Sequence, residues 1–309
     1  MAKLLLLINL FFLSTSISLC QNKKNIIIDA DTANELDDLF AITRALIDPS
    51  LNVLAITSSQ FHSSPHASNK SSNESHKINQ KLIKLLNINN TKLAIGSNVP
   101  IKDTLNPFKS EASDLIIQSA RRFSENKRLK ILILGPCTNV ASAIIHDPSI
   151  INKIEVYYVG FWHDKINNNY DKNEFNTRND RLALDLLLNT KDLNFNVMSA
   201  TTSQYLVFDK VNVFNRFKVN KDLGSYLIDR WENYDRWWNK KDTLKNKWIM
   251  WDLALVEAII NPDLALKNKF TTPSENLNRL INIFTYIDVE KMKANFWLKI
   301  ERFFKSEIH

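Results

Sequence analysis

Five acidic residues crowd a short stretch near the start of the chain. The segment from 25 to 40 reads NIIIDADTANELDDLF and contains Asp29, Asp31, Glu35, Asp37 and Asp38. Carboxylates held close together and partly out of water repel one another, so the folded chain must offset that cost. A hard cation would do so, because Ca²⁺ takes roughly six to eight oxygen ligands from carboxylates, carbonyls and water. The sequence offers no cluster of His and Cys that would favour zinc instead.

The acidic stretch spans the end of a predicted strand and the start of a predicted helix. NIIIDA predicts a buried strand, and apolar residues from Leu36 to Ile47 then recur at a spacing of three and four, which predicts a helix. Asp37 and Asp38 fall in the first turn, where unpaired N–H groups and the helix dipole favour negative charge. Each aspartate alone could be structural, at the strand end or the helix end. The cluster as a whole favours a functional role.

Short β-branched runs alternate with helical patterns along the rest of the chain. The further predicted strands are LNVLAITSS, KLAIG, LKILILG, KIEVYYVG and FNVMSA. The predicted helices between them include HKINQKLIKLLNI, SEASDLIIQSARRF, TNVASAIIH and RLALDLLLN. This alternation predicts an α/β fold with an open, mostly parallel sheet, helices on both faces and a Rossmann-like core. Ligands bind at the carboxyl ends of strands in such sheets, which is where Asp29 and Asp31 stand.

The first twenty residues predict a signal peptide, which would leave residues 21–309 as a single domain. Lys3 precedes the apolar run from 4 to 13, which is too short to span a bilayer, and small polar residues follow. We therefore expect export to the periplasm or the extracellular space, with cleavage after Cys20. A lipid anchor on Cys20 is less favoured, because Leu19 is bulkier than the residue that such a site takes. A buried N-terminal helix is the structural alternative.

Composition narrows the class of partner. The chain is 44% hydrophobic and 24% charged, which is typical of a globular protein, and its formal charge is +7. The basic residues are interleaved with acids and form no stripe, so nucleic acid is not an expected partner. No other segment is apolar enough to span a membrane, and a homo-oligomer stays possible. Residues 212–247 are rich in Trp, Tyr, Asp and Lys and predict a helical excursion that caps the pocket.

Two later stretches add polar side chains suited to a sugar and a metal. NNNYDKNEFNTRND supplies Asn168, Glu174 and Asn176, whose donors and acceptors can hold sugar hydroxyls. WIMWDLALVEAII puts Asp252 at the start of an apolar helix, where its carboxylate could complete a metal site. DADTA also partly resembles the Asp-x-Asp-x-Thr opening of haloacid-dehalogenase phosphatases. Thr32 comes one place early for that motif, and no downstream Lys is followed by paired acids.

Four spaced motifs together resemble the inosine-uridine-preferring nucleoside hydrolases. The matched residues are Asp29, Asp31, Asp37 and Asp38, then GPCTN at 135–139, then Asn168 with EFN at 174–176 and Asp180, and last Asp252. The motifs cover most of the chain after residue 20 and occur in the family's order. The resemblance implies an enzyme that hydrolyses the N-glycosidic bond of ribonucleosides to ribose and a free base. Hydrolysis of another riboside, or ribose binding without catalysis, stays an alternative.

The resemblance also implies a role for each matched residue. The implied Ca²⁺ ligands are Asp31, Asp38, Asp252 and the backbone carbonyl of Thr138, with Asp31 also the general base for a metal-bound water. The implied ribose ligands are Asp37, Asn168, Glu174 and Asn176, with Asp29 supporting the site from behind. The transition state of such a reaction resembles an oxocarbenium ion, which nearby negative charge stabilises.

Three positions depart from the family pattern. The loop TANEL between Asp31 and Asp37 is two residues longer, so Asn34 and Glu35 either reach the pocket or cap the helix. His62 stands near the place of a Gly-Asn pair and becomes a candidate substrate contact. Trp251 replaces the His that precedes the late Asp in many members. Tryptophan cannot act as an acid but can stack on a ring, so the sequence leaves the base specificity open.

Overall fold

The computed structural model describes residues 23–105 and 107–306. The predicted signal peptide and its cleavage after Cys20 lie outside these residues. Among the helices that the structure describes, none combines the length and apolar character that a membrane span requires.

Strands and helices alternate along the described chain. The strands are β1 Lys24–Ala30, β2 Leu51–Ser58, β3 Lys92–Ile95, β4 Leu129–Ile133, β5 Ile154–Gly160, β6 Trp162–Asp164, β7 Asn169–Asp171, β8 Asn194–Ser199, β9 Val207–Asp209, β10 Lys247–Ile249, β11 Ala265–Thr271 and β12 Leu280–Ile287. The helices are α1 Asp37–Leu46, α2 Ser71–Leu85, α3 Glu111–Ala120, α4 Thr138–His146, α5 Phe175–Asn179, α6 Arg181–Asn189, α7 Ala200–Ser203, α8 Lys210–Phe217, α9 Leu223–Asn233, α10 Trp251–Ile260 and α11 Val289–Ser306. Short 3₁₀ helices cover Pro148–Lys153 and Pro262–Leu264.

One sheet of eight described strands organises the molecule. Its order is β11-β12-β8-β5-β4-β1-β2-β3, and β6–β7 and β9–β10 form separate two-stranded sheets. Neighbours in the large sheet pair in parallel except for the edge pair β11–β12, which is antiparallel. The predicted α/β fold with an open, mostly parallel sheet is confirmed.

Strand β1 shows why its sequence is apolar without alternation. Side chains of a strand point alternately to the two faces of the sheet. Ile26 and Ile28 belong to the core on the α1 and α10 face, whereas Ile27 belongs to the core on the α3 and α4 face. All three are fully buried, as expected for a central strand covered by helices on both sides.

The order of the strands reverses between β1 and β4. From β1 the chain continues to β2 and β3 on one side, while β4 and β5 lie on the other side. The loops after β1 and β4 therefore diverge and leave a crevice at the carboxyl edge of the sheet, the usual ligand site in open α/β sheets. Helix α1 packs against α10, so the starts of both helices are brought to this crevice.

The segment predicted as a capping excursion, residues 212–247, comprises most of α8, all of α9 and an irregular stretch after residue 233. Buried Trp231 packs edge-on against Trp248, with ring centroids 5.2 Å apart, and this contact ties α9 to β10. The buried guanidinium of Arg236 holds the irregular stretch, since it donates to the carbonyl of Asp242 at 2.6 Å and pairs with the Asp242 carboxylate at 3.0 Å. This anchoring positions the neighbouring Trp237 and Trp238.

Candidate active site

A cavity of about 270 Å³ opens at the crevice between β1 and β4. It is lined by Asp31, Asn34, Glu35, Asp37, Asp38, Leu134, Val159, Trp162, Asn173, Glu174, Phe175, Asn176, Arg178, Ala200, Trp237, Trp238, Trp251 and Asp252. Most of the predicted site residues are therefore brought together by the fold. A larger groove of about 880 Å³ shares Trp162 with this cavity, but none of the predicted site residues lines it.

The floor of the cavity is a group of three buried carboxylates. Asp37 and Asp38 lie in the first turn of α1, and Asp252 lies in the first turn of α10. Each offers a carboxylate oxygen within 4.8 Å of the others. The backbone N–H of Asp252 also donates to Asp37 Oδ2 at 3.1 Å. Two helix N-termini thus meet at the floor, and their unpaired N–H groups offset part of the cost of the crowded charges.

Asp31 lies beside this group at the end of β1. Burial raises the pKa of Asp31 well above its usual value, and the nearby Asp38 and Asp37 raise it further. Burial, followed by the charge of Asp37, raises the pKa of Asp38 in the same way. Burial also raises the pKa of Asp37, to about 7. Ionisation of all the carboxyl groups at the floor is therefore electrostatically costly unless a cation balances their charge.

The donor atoms at the floor fit a hard cation. Asp31 Oδ2 and Asp38 Oδ1 are buried, and neither has a hydrogen-bond partner among the described residues. A buried carboxylate oxygen without a partner is costly, and a bound cation removes that cost. All the donors at the floor are oxygens, as Ca²⁺ and Mg²⁺ prefer. Asp37, Asp38 and Asp252 form a tight group of three carboxylates, because both first-turn residues of α1 face the start of α10. The resemblance implies Asp31 as a metal ligand in place of Asp37, and the structure has Asp31 beside this group.

Asp29 stands behind the floor and is fully buried. Its Oδ1 accepts hydrogen bonds from Thr57 Oγ1 at 2.6 Å and from Asn139 Nδ2 at 2.9 Å. Burial raises the pKa of Asp29 to about 6. These bonds join the end of β1 to β2 and α4, and they fix the strand end from which Asp31 projects.

The longer loop between Asp31 and Asp37 reaches the cavity. Asn34 and Glu35 both line it, and the N-cap of α1 is Leu36, which makes no side-chain capping bond in the described structure. Glu35 Oε1 accepts a hydrogen bond from Trp248 Nε1 at 2.8 Å. Asn34 Oδ1 is buried without a partner among the described residues. The sequence left open whether Asn34 and Glu35 reach the pocket or cap α1, and in the structure both face the cavity.

Glu174 and Asn176 are held rigidly at the side of the cavity. Glu174 caps α5, since Oε1 accepts from the N–H of Asn176 at 3.0 Å and Oε2 from that of Thr177 at 2.9 Å. The amide of Asn176 donates to the carbonyls of Leu134 at 2.6 Å and Val159 at 3.0 Å. Both amide protons of Asn176 are thereby used, which leaves its Oδ1 as the atom available to a ligand.

Besides Asp29, three residues in the predicted set lie outside the cavity lining. Asn168 sits in the turn between β6 and β7 with φ of 50°, and its amide bonds to His163 at 3.1 Å and to the Thr271 carbonyl at 3.0 Å. The short hairpin directs Asn168 away from the cavity, and Asn173, directly before EFN, lines it instead. The structure therefore does not bring Asn168 to the cavity, and the ribose contact that the resemblance implies for it stays a prediction.

His62 and Thr138 are the other two. His62 is exposed, and its Nδ1 lies 2.8 Å from Gln60 Oε1 rather than at the cavity. Thr138 begins α4, and its hydroxyl donates to Asp180 Oδ2 at 2.7 Å. The implied metal contact of Thr138 would use its backbone carbonyl, and that contact stays a prediction.

Aromatic side chains form the wall above the floor. Trp251 and Trp162 meet edge to face with ring centroids 5.7 Å apart, and Phe175 and Trp237 lie 6.1 Å apart. Trp238 completes this aromatic wall. Sequence reasoning named Trp251 but did not single out Phe175, Trp237 or Trp238. The available signal was the RWW triplet in a stretch otherwise rich in charged residues.

Comparisons with known proteins agree with this geometry. The family model described as inosine-uridine preferring nucleoside hydrolase matches residues 26–294. A plant nucleoside hydrolase superposes with a TM-score of 0.70 at 17% identity, covering 90% of this chain and 99% of its own. A purine-preferring ribonucleoside hydrolase from Gardnerella vaginalis gives 0.70 at 17%, covering 92% and 100%. The type III effector XopQ, solved with adenosine diphosphate ribose, gives 0.68 at 10%, covering 92% and 95%. A search of curated proteins gave no significant match.

The fold and the acidic cavity thus define a hydrolase of ribosides. This chain belongs to the inosine-uridine preferring nucleoside hydrolase family, and its class of activity is that of an N-ribohydrolase. The low identities to the solved structures make it a divergent member.

Proposed function

We propose that this protein is a Ca²⁺-dependent hydrolase that cleaves the N-glycosidic bond of ribonucleosides to ribose and a free base. The observation that carries the proposal is the cavity floor. Buried carboxylates without cationic partners in the described structure meet there, next to acceptors suited to sugar hydroxyls. An aspartyl phosphatase would leave unexplained why Glu174 and Asn176 face the same carboxylates, and release of ribose distinguishes the hydrolase from a ribose-binding module.

Asp31, Asp38 and Asp252 would hold the cation. Among the described carboxylates of the floor, Asp31 and Asp38 each have a buried oxygen without a hydrogen-bond partner, whereas Asp37 Oδ2 already accepts the N–H of Asp252. This difference supports Asp31 rather than Asp37 as the ligand, although Asp37 lies in the tight group. When bound, the cation lowers the pKa of a water molecule and orients it.

The remaining steps belong to the side chains of the cavity. Asp31 accepts the proton of the attacking water, whose oxygen forms a bond to the anomeric carbon as the bond to the base breaks. Asp37, Glu174 and the Oδ1 of Asn176 hold the ribose hydroxyls. The acidic floor stabilises the positive charge that develops on the sugar in the transition state. Rigid placement of Glu174 and Asn176 keeps the sugar oriented for this attack.

We also propose that the protein is exported. The support is the sequence of residues 1–20 alone, with its basic residue, apolar run and small polar residues. Expression of the full chain in a bacterial host, followed by N-terminal sequencing of the periplasmic fraction, tests this proposal. A mature chain that begins at Gln21 supports it, and a cell-associated chain that retains Met1 would overturn it.

Release of ribose by residues 21–309 tests the proposed activity. Purine and pyrimidine nucleosides are supplied in turn, with Ca²⁺ and with EDTA. Ribose released only with Ca²⁺, and lost in Asp31→Asn, supports the proposal. Asp263→Asn is the matched control, because Asp263 is an exposed acid beyond the far end of α10. Absence of ribose from every nucleoside, in a folded protein that binds Ca²⁺, would contradict it.

A further inference from the structure

The charge of the cavity favours a cationic ligand. Six of its lining residues carry carboxyl groups, namely Asp31, Glu35, Asp37, Asp38, Glu174 and Asp252. Arg178 is the one basic residue among the described lining residues. A divalent cation at the floor would offset only part of this imbalance. A substrate that brings a positive charge is therefore favoured over a neutral one, by long-range attraction as well as by contact.

The aromatic wall is suited to a planar cation. Tryptophans 162, 237, 238 and 251 are partly exposed and line the cavity, whereas Trp231, Trp248 and Trp297 are buried in the core. Aromatic faces attract cations and stack on planar rings. The wall already holds such a group, because the guanidinium of Arg178 lies 5.0 Å from the ring centre of Phe175 and 5.8 Å from that of Trp237.

Five of the six carboxyl groups in the described lining are assigned to the cation and the sugar, so only Glu35, whose Oε1 accepts a hydrogen bond from Trp248, is left to protonate a departing base. Its described lining contains no imidazole, amine, phenol or thiol. His62 is exposed outside it, and buried His163 packs against Tyr170 and Phe270, also outside it. A neutral purine or uracil leaves as an anion unless a proton reaches it during bond cleavage, and such a proton transfer is worth roughly 10²–10⁴ in rate. The cavity is therefore better matched to an aglycone that needs no proton.

We infer that the preferred substrate class is ribosides of a cationic aromatic ring, of the nicotinamide riboside type; the inference rests on the proposed function. In such a substrate the ring nitrogen is positively charged while it is bonded to the ribose. When the bond breaks, its electron pair returns to that nitrogen, and the ring leaves as neutral nicotinamide. Water adds to the anomeric carbon and gives its proton to Asp31, so the products are ribose, nicotinamide and one proton released to solvent.

The negative charge of the cavity, its aromatic wall and the lack of an imidazole, amine, phenol or thiol in its described lining each support the same class of substrate independently. The acidic floor attracts the pyridinium charge. Trp162 and Trp251 meet at an interplanar angle of 89°, so one of the two indoles can stack on the face of the ring while the other lies against its edge. Trp251 stands directly before Asp252 and lines the cavity. An indole at this position cannot protonate a neutral base but can stack on a charged ring.

A comparison of kcat/KM for nicotinamide riboside, inosine and uridine, with Ca²⁺ at pH 7, tests the inference. We expect nicotinamide riboside to be favoured by about 10²-fold, the lower end of what a general acid contributes. Trp251→His should raise the value for inosine and narrow the preference. Tyr205→Leu, which removes an exposed aromatic outside the cavity, should leave the preference unchanged.

A binding assay on a variant that lacks the proposed base separates recognition of the substrate from its turnover. In Asp31→Asn, quenching of tryptophan fluorescence should show tighter binding of nicotinamide riboside than of inosine, and Trp251→Leu in that background should weaken it. Faster release of ribose from inosine or uridine than from nicotinamide riboside would overturn this inference and leave the proposed function standing. Release from no riboside at all would overturn both.

Discussion

Helices α1 and α10 bury acidic residues at both of their ends, and the two ends differ in what balances the charge. At the C-terminal ends, Arg44 Nε donates to Glu257 Oε1 at 2.6 Å, and Arg44 Nη1 pairs with Asp48 Oδ2 at 2.5 Å. At the N-terminal ends, Asp38 and Asp252 meet with no cationic side chain paired to them in the described structure.

The comparison distinguishes a structural cluster from a functional one. The chain supplies its own cation where acids only join two helices, and Arg44 is almost fully buried there at 1% exposure. Where the acids face a cavity, the chain leaves the charge unbalanced, at a cost that burial makes large. Such local inconsistency is expected at sites that bind a ligand.

The N-terminal ends of α1 and α10, where Asp38 and Asp252 meet, are called the unbalanced end. Substitution at this end should affect activity most. Asp38→Asn is expected to lower ribose release by about 10³-fold or more, because a ligand of the cation is lost. In EDTA the free energy of unfolding should not fall, since a charge repelled by Asp37 has been removed. Assays of both quantities on one preparation check this prediction. A large loss of stability in EDTA would mean that Asp38 is structural.

The C-terminal ends of the same helices, where Arg44 pairs with Asp48 and Glu257, are called the balanced end. Substitution there should affect stability instead. Arg44→Met leaves Asp48 and Glu257 buried without their partner, which is expected to lower the free energy of unfolding by about 3–5 kcal/mol. Urea unfolding at pH 8 measures it. Arg121→Met is the control, because Arg121 pairs with Asp147 at the surface, where loss of a pair costs about 1 kcal/mol or less. Equal effects of the two substitutions would refute the assignment of Arg44.

Added Ca²⁺ should stabilise the protein only through the unbalanced end. At a concentration of about 100 times Kd, the free energy of unfolding is expected to rise by about 2.7 kcal/mol. Glu257→Gln should retain this gain, and Asp38→Asn should lose it. Thermal unfolding with Ca²⁺ and with EDTA provides the measurement, and a gain that survives in Asp38→Asn would place the ion elsewhere.

The pH dependence of stability should report the balanced end. Burial raises the pKa of Glu257 to about 7, and Arg44 only partly opposes this effect. In the unfolded chain the carboxyl ionises near its ordinary pKa of 4.5. Stability contributed by the protonated form is therefore present below about pH 4.5 and lost as the pH rises through about 7.

Glu257→Gln removes that titration. Relative to the variant, the wild type should lose roughly 3 kcal/mol of unfolding free energy between pH 4.5 and 8, since one pKa unit corresponds to about 1.4 kcal/mol. Urea unfolding of both proteins across this range checks the difference. Parallel pH profiles would show that folding does not raise the pKa of Glu257.

The sequence predicted the floor of the cavity better than its wall. Asp31, Asp38 and Asp252 follow strand ends and open helices, so spacing and periodicity were enough to place them. Trp237 and Trp238 lie in an irregular stretch without periodicity, and the bonds from the Arg236 side chain to the carbonyls of Asp242 and Lys247 hold this stretch in place. Asn168 carried the family spacing, but a local hairpin turn moved it away and placed Asn173 at the cavity. Turn geometry of this kind cannot be derived from motif spacing alone.

Titration calorimetry of Ca²⁺ into chelator-treated protein, residues 21–309, tests the central claim most directly. The unbalanced carboxylates at the starts of α1 and α10 predict one Ca²⁺ site per chain, lost in Asp38→Asn and retained in Glu257→Gln. Absence of saturable binding in the folded wild type, or equal binding by Asp38→Asn, would contradict the claim that these acids exist to hold a cation.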